Sequence, residues 1–109
     1  MAKRYRVEID ADAEADALRI FRELKLEAPA SARAFLADFR RLDSALEAFP
    51  ERGSIPRELD DLGSRDFRQR ALGTYRAIYR VTDGVVHILL VAHERQQLQP
   101  ILQRRGLRP

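Results

Sequence analysis

The sequence predicts an α+β fold of order β-α-α-β-β-β, closed by a short C-terminal helix or tail. An antiparallel-rich sheet carries a helical hairpin on one face. Three observations predict this. Arg4 to Ile9 alternates in polarity. Pro29 to Phe49 carries apolar residues at steps of three and four. Thr74 to Arg95 reads as two strands around the turn pair Asp83-Gly84. The opening strand precedes the hairpin and must join the later sheet, whose strands need helices to cover them.

Taken in order, Tyr5, Val7 and Ile9 fall on one side of the first strand, and Arg4, Arg6 and Glu8 on the other. Asp10 offers an N-cap. Asp12, Glu14 and Asp16 crowd the first helical turns, where the dipole favours negative charge. Ala17, Leu18, Phe21 and Leu24 supply an apolar side to a helix from Ala11 to about Lys25. Pro29 suits the first turn of a second helix, because its missing N–H has no partner there. Ala32, Phe35, Leu36, Phe39, Leu42, Leu46 and Phe49 form its core stripe, and Pro50 ends it.

Pro50 to Asp66 reads as irregular, punctuated by Pro56, Gly53 and Gly63 and tacked down by Ile55, Leu59 and Leu62. Phe67 to Leu72 is a short strand, turned by Gly73-Thr74 into the hairpin. On the hairpin's first arm Tyr75, Ala77, Tyr79 and Val81 share one side, and Arg76, Ile78 and Arg80 the other. The second arm, Val85 to Ala92, is apolar except for His87 and suits a mid-sheet strand. Leu98, Ile101 and Leu102 form one side of a short helix that tolerates Pro100 only in its first turn. Gly106 and Pro109 stop it, and the final RRGLRP is expected to fray.

The length of 109 residues suits a single domain, residues 1–109. With 45 % hydrophobic and 34 % charged residues the chain reads as globular, not disordered. No apolar run approaches the ~20 residues of a membrane span. MAKRYRVEID lacks the apolar region of a secretory signal, and the absence of cysteine agrees with the cytoplasm. The net charge is only +3, but arginines accumulate from Arg65 onward while Asp10 to Asp16 is acidic; the pattern favours an anionic or acidic partner.

These residues in this order resemble the RelE/ParE superfamily of toxins from type II toxin–antitoxin pairs, over nearly the whole chain. The resemblance is carried by Phe49-Pro50-Glu51-Arg52-Gly53 after a helical hairpin and by the Glu58-Leu59 that follows. It continues in Tyr75-Arg76-Ala77-Ile78-Tyr79-Arg80-Val81, the apolar strand to Val91, and His93-Glu94-Arg95. It implies a protein held inactive by a cognate antitoxin and reaching operator DNA only through that antitoxin. RelE-like members cleave mRNA in the ribosome; ParE-like members act against DNA gyrase. The long hairpin leans toward the ParE-like branch, as does the lack of a tyrosine after Arg95, where a terminal tyrosine would fall near Ile101. His93 and Arg95 match the His-x-Arg of many ParE-like chains, but Gln96 or Gln97 stands where an aspartate often follows. The resemblance calls for no cofactor.

Two sets of candidates follow. For a gyrase-binding toxin, Arg68, Arg70, Arg76, Arg80, His93 and Arg95 form a target- or antitoxin-binding surface, since guanidinium forks pair with phosphates and carboxylates. For a ribosome-dependent endonuclease, His93 is the acid or base and Arg68, Arg70 and Arg95 hold the phosphate. A local hydrogen bond at a strand end is the plainer account of His93, and solvated sheet positions that of the arginines. Tyr75 and Tyr79 fit the core better than base stacking. Arg104, Arg105 and Arg108 fit a solvated terminus, and two histidines without cysteine give no metal spacing. A third reading is a toxin homologue without toxicity that serves as an antitoxin-binding co-repressor.

Overall fold

The computed structural model describes residues 4–108. Strand β1 is Arg6–Ile9, and helices α1 and α2 are Ala11–Glu27 and Pro29–Ala48. A 3₁₀ turn at Pro50–Arg52 and a one-turn helix α3, Arg57–Asp60, interrupt the long connection. Strands β2 (Arg68–Leu72), β3 (Tyr75–Thr82) and β4 (Val85–His93) form the meander, and helix α4 is Leu98–Arg104. The stop expected at Pro109 lies outside the described residues.

The sheet runs β1-β4-β3-β2, with β1 parallel to β4 and the other pairs antiparallel. The apolar β4 lies inside the sheet, as its sequence requires. Asp83 and Gly84 both have positive φ, the two-residue turn whose twist matches a hairpin. Gly73 alone has positive φ in the other turn, which places glycine at its first central position.

On one face, α1 and α2 bury Ala13, Ala17, Ile20, Phe35, Leu42 and Leu46 against Leu72, Ala77, Tyr79, Val86, Ile88 and Val91. Each fully buried leucine contributes about 1.5–3 kcal/mol. The other face is also covered. Ile78, Leu89, Leu90 and Ala92 pack against Leu59, Phe67, Leu98, Ile101 and Leu102, so α3 and α4 oppose the hairpin across the sheet. A bulge sets which strand residues face which side. Ile78 pairs with Leu90 but Tyr79 with Ile88, which leaves Leu89 as an extra residue in β4. His87 and His93, six positions apart, would share a face in a regular strand but here face opposite sides.

Several sequence expectations are corrected. Leu18 is exposed, because one residue turns the helix about 100° away from the buried Ala17. Phe49 is about half exposed and lies under the Arg52 guanidinium, 3.9 Å from the ring centre; the helix ends before it can turn inward. Leu62 is exposed, leaving Leu59 as the buried anchor of its segment. Asp10 precedes α1 but makes no side-chain cap. The tail is not frayed at Arg105. Its guanidinium grips both oxygens of the buried Asp16 at 2.6 and 2.8 Å, and Leu107 packs against the second core. Asp16 also accepts the Val91 N–H at 3.0 Å, beyond the point where β1 stops pairing with β4.

Candidate functional site

The chain after β4 is folded back on itself around His93. Its N–H donates to Gln96 Oε1 at 2.9 Å, and its Nδ1 accepts the Arg95 N–H at 3.1 Å. The Glu94 N–H donates to the Thr74 carbonyl, closing the turn onto the β2–β3 connection. An accepting Nδ1 places the proton of a neutral ring on Nε2. The ring meets Tyr75 edge-on at 5.4 Å, and Tyr75 in turn meets Phe35 at 5.4 Å. The local hydrogen bond expected of a strand-end histidine is thus present. Nε2 has no partner among the described residues, and neither does the exposed Arg95 side chain.

The arginines divide between the two faces. Arg68 pairs with Tyr79, and Arg70 with Ala77, so both stand on the hairpin side. Arg76 and Arg80 stand on the other, as neighbours of Ile78. Each pair shares a face, as strand parity requires, but the four do not form one surface.

Arg76 is not available as an outward contact. It is 8 % exposed and donates to both Glu58 oxygens, at 3.0 and 2.8 Å. It also donates to Gln69 Oε1 at 3.0 Å and to the Gln96 carbonyl at 2.7 Å, while its Nε is buried without a partner. These hydrogen bonds hold the Glu58 carboxyl below its usual range, against the opposing effect of burial. Arg76 therefore fastens α3, β2 and the His93 turn to one point. Arg68 is spent partly on the Gly53 and Glu51 carbonyls, at 2.9 and 3.2 Å, and on the Glu51 carboxylate. Arg80 lies 5.1 Å over the Phe67 ring. Arg70 has no hydrogen bond or ion pair among the described residues; it lines a hollow with Asp38, Arg41 and Leu42.

Register fixes the spread of the endonuclease candidates. Tyr75 is opposite His93, and Tyr79 is opposite Arg68. Four residues along a strand is about 14 Å and two strand spacings about 10 Å, so the Arg68 and His93 backbones are roughly 17 Å apart. Leu72 and Tyr75 lie between Arg70 and His93 on that face. Among the described residues, no group of three or more metal-ligating side chains converges. No helix among them is long and apolar enough to cross a membrane.

The Phe-Pro-Glu-Arg-Gly stretch has a structural role. The buried Tyr79 hydroxyl donates to the Pro50 carbonyl at 2.6 Å and accepts the Gly53 N–H at 3.1 Å. Burial pushes this phenol above its ordinary value. A Cβ on Gly53 would overlap the Tyr79 hydroxyl and come within 2.7 Å of the Gln69 carbonyl. The sequence did not show the Asp16–Arg105 pair, or that Glu58 and Gln96 bind Arg76. Asp16 carried one local signal, since it falls on the same helical side as Ala13, Ala17 and Ile20.

The chain belongs to the family described as the ParE toxin of the type II toxin–antitoxin system parDE, whose profile residues 7–98 match. Two solved structures share its fold. One, described as the chromosomal ParDE toxin–antitoxin system from P. aeruginosa, is 19 % identical with a TM-score of 0.66; the match covers 84 % of this chain and 97 % of that one. The other, a RelBE2 toxin–antitoxin complex from Mycobacterium tuberculosis, is 24 % identical with a TM-score of 0.55; the match covers 83 % and 98 %. The search of curated proteins gives no match.

Proposed function

We propose that this chain is a toxin that binds DNA gyrase in the cytoplasm and that a cognate antitoxin neutralises it by covering the sheet and helical hairpin. The observation that carries this reading over the enzymatic one is the dispersal of the endonuclease candidates. Arg68 is tethered to the Glu51–Gly53 backbone, its own backbone about 17 Å from that of His93, so it would have to leave those carbonyls to share a scissile phosphate with His93. What remains outward is a set of separate contacts: the cations Arg70, Arg80 and Arg95, and the Nε2 edge of His93. Such contacts suit a broad macromolecular partner. The family supports the toxin assignment.

The test is gyrase supercoiling with purified protein at stoichiometric excess. Inhibition relieved by the product of an adjacent small reading frame is expected; unaffected supercoiling refutes the target. The open Nε2 beside Arg95 favours ribosome-dependent mRNA cleavage as the second reading. A-site cleavage abolished by His93→Ala would replace the first reading with it.

A further inference from the structure

Helix α2 and strand β2 leave a groove between them. It consists of two joined hollows that share Asp38 and Leu72. One, of about 390 Å³, is lined by Leu42, Ser44, Arg41 and Arg70. The other, of about 250 Å³, reaches Leu24, Ala34, Phe35 and Tyr75. Joined, they fall within the roughly 300–1,000 Å³ of a small-molecule site. Strand parity puts Arg70 and Leu72 on the hairpin side of β2. Opposite them α2 contributes Ala34, Ser44 and Ala45, side chains too short to close the gap.

The two ends of the groove differ in chemistry. Leu24, Phe35, Leu72 and Tyr75 make one end apolar and aromatic. The other carries two guanidinium groups. Asp38 holds Arg41 at 2.6 Å, so that pair is neutral. Arg70 is half-buried and has no hydrogen bond or ion pair among the described residues. One cation is therefore left over. A single unmatched guanidinium suits a planar monoanion that meets its fork with two oxygens. A phosphate dianion would bring one uncompensated charge up to Asp38. By register Leu72 lies opposite Tyr75, and Arg70 is two residues further along β2. The Arg70 and Tyr75 backbones are thus about 8 Å apart. A carboxylate on Arg70 leaves the ring or short chain attached to it over Leu72, toward Phe35 and Tyr75.

We propose that this groove binds a small amphipathic carboxylic acid, its carboxylate on Arg70 and its apolar body against Leu72, Phe35 and Tyr75. The site stands apart from the gyrase reading and does not depend on it. Tyr75 connects it to the turn after β4, since the His93 ring meets Tyr75 edge-on at 5.4 Å. An occupant that touches Tyr75 is therefore reported at His93.

The probe is phenylbutyrate, titrated into the full chain and followed by NMR. The Leu72 and Thr74 amides and the Tyr75 and His93 rings should shift along one saturation curve, with a Kd of about 1 mM for a ligand of this size. Leu98, in the core on the other face, should stay in place. Phenylbutanol, which lacks the charge, and Arg70→Gln should each bind about tenfold more weakly. Ala34→Leu sets a larger side chain on an exposed helical position, so it should abolish binding and keep the urea midpoint. Inorganic phosphate should not compete. Shifts that do not saturate, or Arg70→Gln binding as tightly as the parent, would overturn the proposal. Displacement by inorganic phosphate would do so too, by assigning Arg70 to a phosphate group. Shifts of the same residues with protein concentration alone would give the groove to a second copy of the chain. If both variants bind phenylbutyrate unchanged yet lose the adjacent gene product, the groove belongs to that protein and the proposal falls.

Discussion

Replacing Tyr79 with phenylalanine isolates the hydroxyl that joins the sheet to the long connection. The ring stays, so the apolar packing of a fully buried side chain is kept. Two buried backbone groups lose their partner: the Pro50 carbonyl at 2.6 Å and the Gly53 N–H at 3.1 Å. An unsatisfied buried group costs about 1–3 kcal/mol, and the void left by one hydroxyl oxygen is too small for a replacement water. The expected loss is about 3 kcal/mol, a large share of the roughly 5–15 kcal/mol that a domain has. At about 4–8 °C per kcal/mol for a domain near this size, the melting temperature should fall by roughly 15 °C. Urea denaturation checks it: the midpoint should drop with an unchanged slope. The parent carries a second signature. The folded state holds the Tyr79 proton more tightly than the unfolded state, so its contribution is complete below about pH 10 and is lost as pH rises through the raised value. Tyr79→Phe should lack this alkaline loss. A cost below about 1 kcal/mol would refute the assignment of these two bonds as the fastening.

Gly53→Ala should destabilise the fold by about 2 kcal/mol or more, on the order of a core overpacking, and less so in the Tyr79→Phe background, where the closest of three collisions is gone while those with the ring and the Gln69 carbonyl remain. A double-mutant cycle by urea denaturation measures that coupling. Arg105→Ala should cost about 2–3 kcal/mol by leaving the buried Asp16 carboxylate with only the exposed Arg19, 4.0 Å away, as counter-charge, whereas Arg104→Ala should cost under about 0.5 kcal/mol in the same measurement. Glu58 has a depressed folded value, so its contribution is present above the ordinary carboxylate value of about 4.3 and is lost as pH falls through the folded one. Thermal melts across that acid range should flatten in Glu58→Gln. The His93 turn, which shares Arg76, should loosen in the same variant, seen as faster exchange of the Arg95 amide.

The order of elements was legible because it rests on local chemistry. Asp83-Gly84 could only be a tight turn, Pro29 could only open a helix, and the steps from Ala32 to Leu46 could only serve one helical face. What escaped depends on partners far away in the chain. Arg105 looked like a loose terminal cation because its acid lies in the first helix. Arg76 looked like its neighbour Arg80 because parity gives the face of a strand and not what covers that face; Glu58 and Gln96 arrive from elsewhere to bury it. The bulge at Leu89 is invisible in an unbroken apolar run, yet it decides that His93 and His87 face opposite ways. The comparisons establish the family without locating its working surface, and for that the register is the informative quantity.

The parallel pairing of β1 with β4 bears on how the chain is made. Strand β1 leaves the ribosome with no neighbour until Val85–Ile88 has followed it. Until then the two amphipathic rods carry a greasy side with no sheet beneath it, a state prone to clumping. Contacts this distant in the chain also slow the search for the native arrangement. The protein therefore cannot close before its last strand is made, and a helper that reaches the nascent chain during that interval meets surfaces the folded molecule hides.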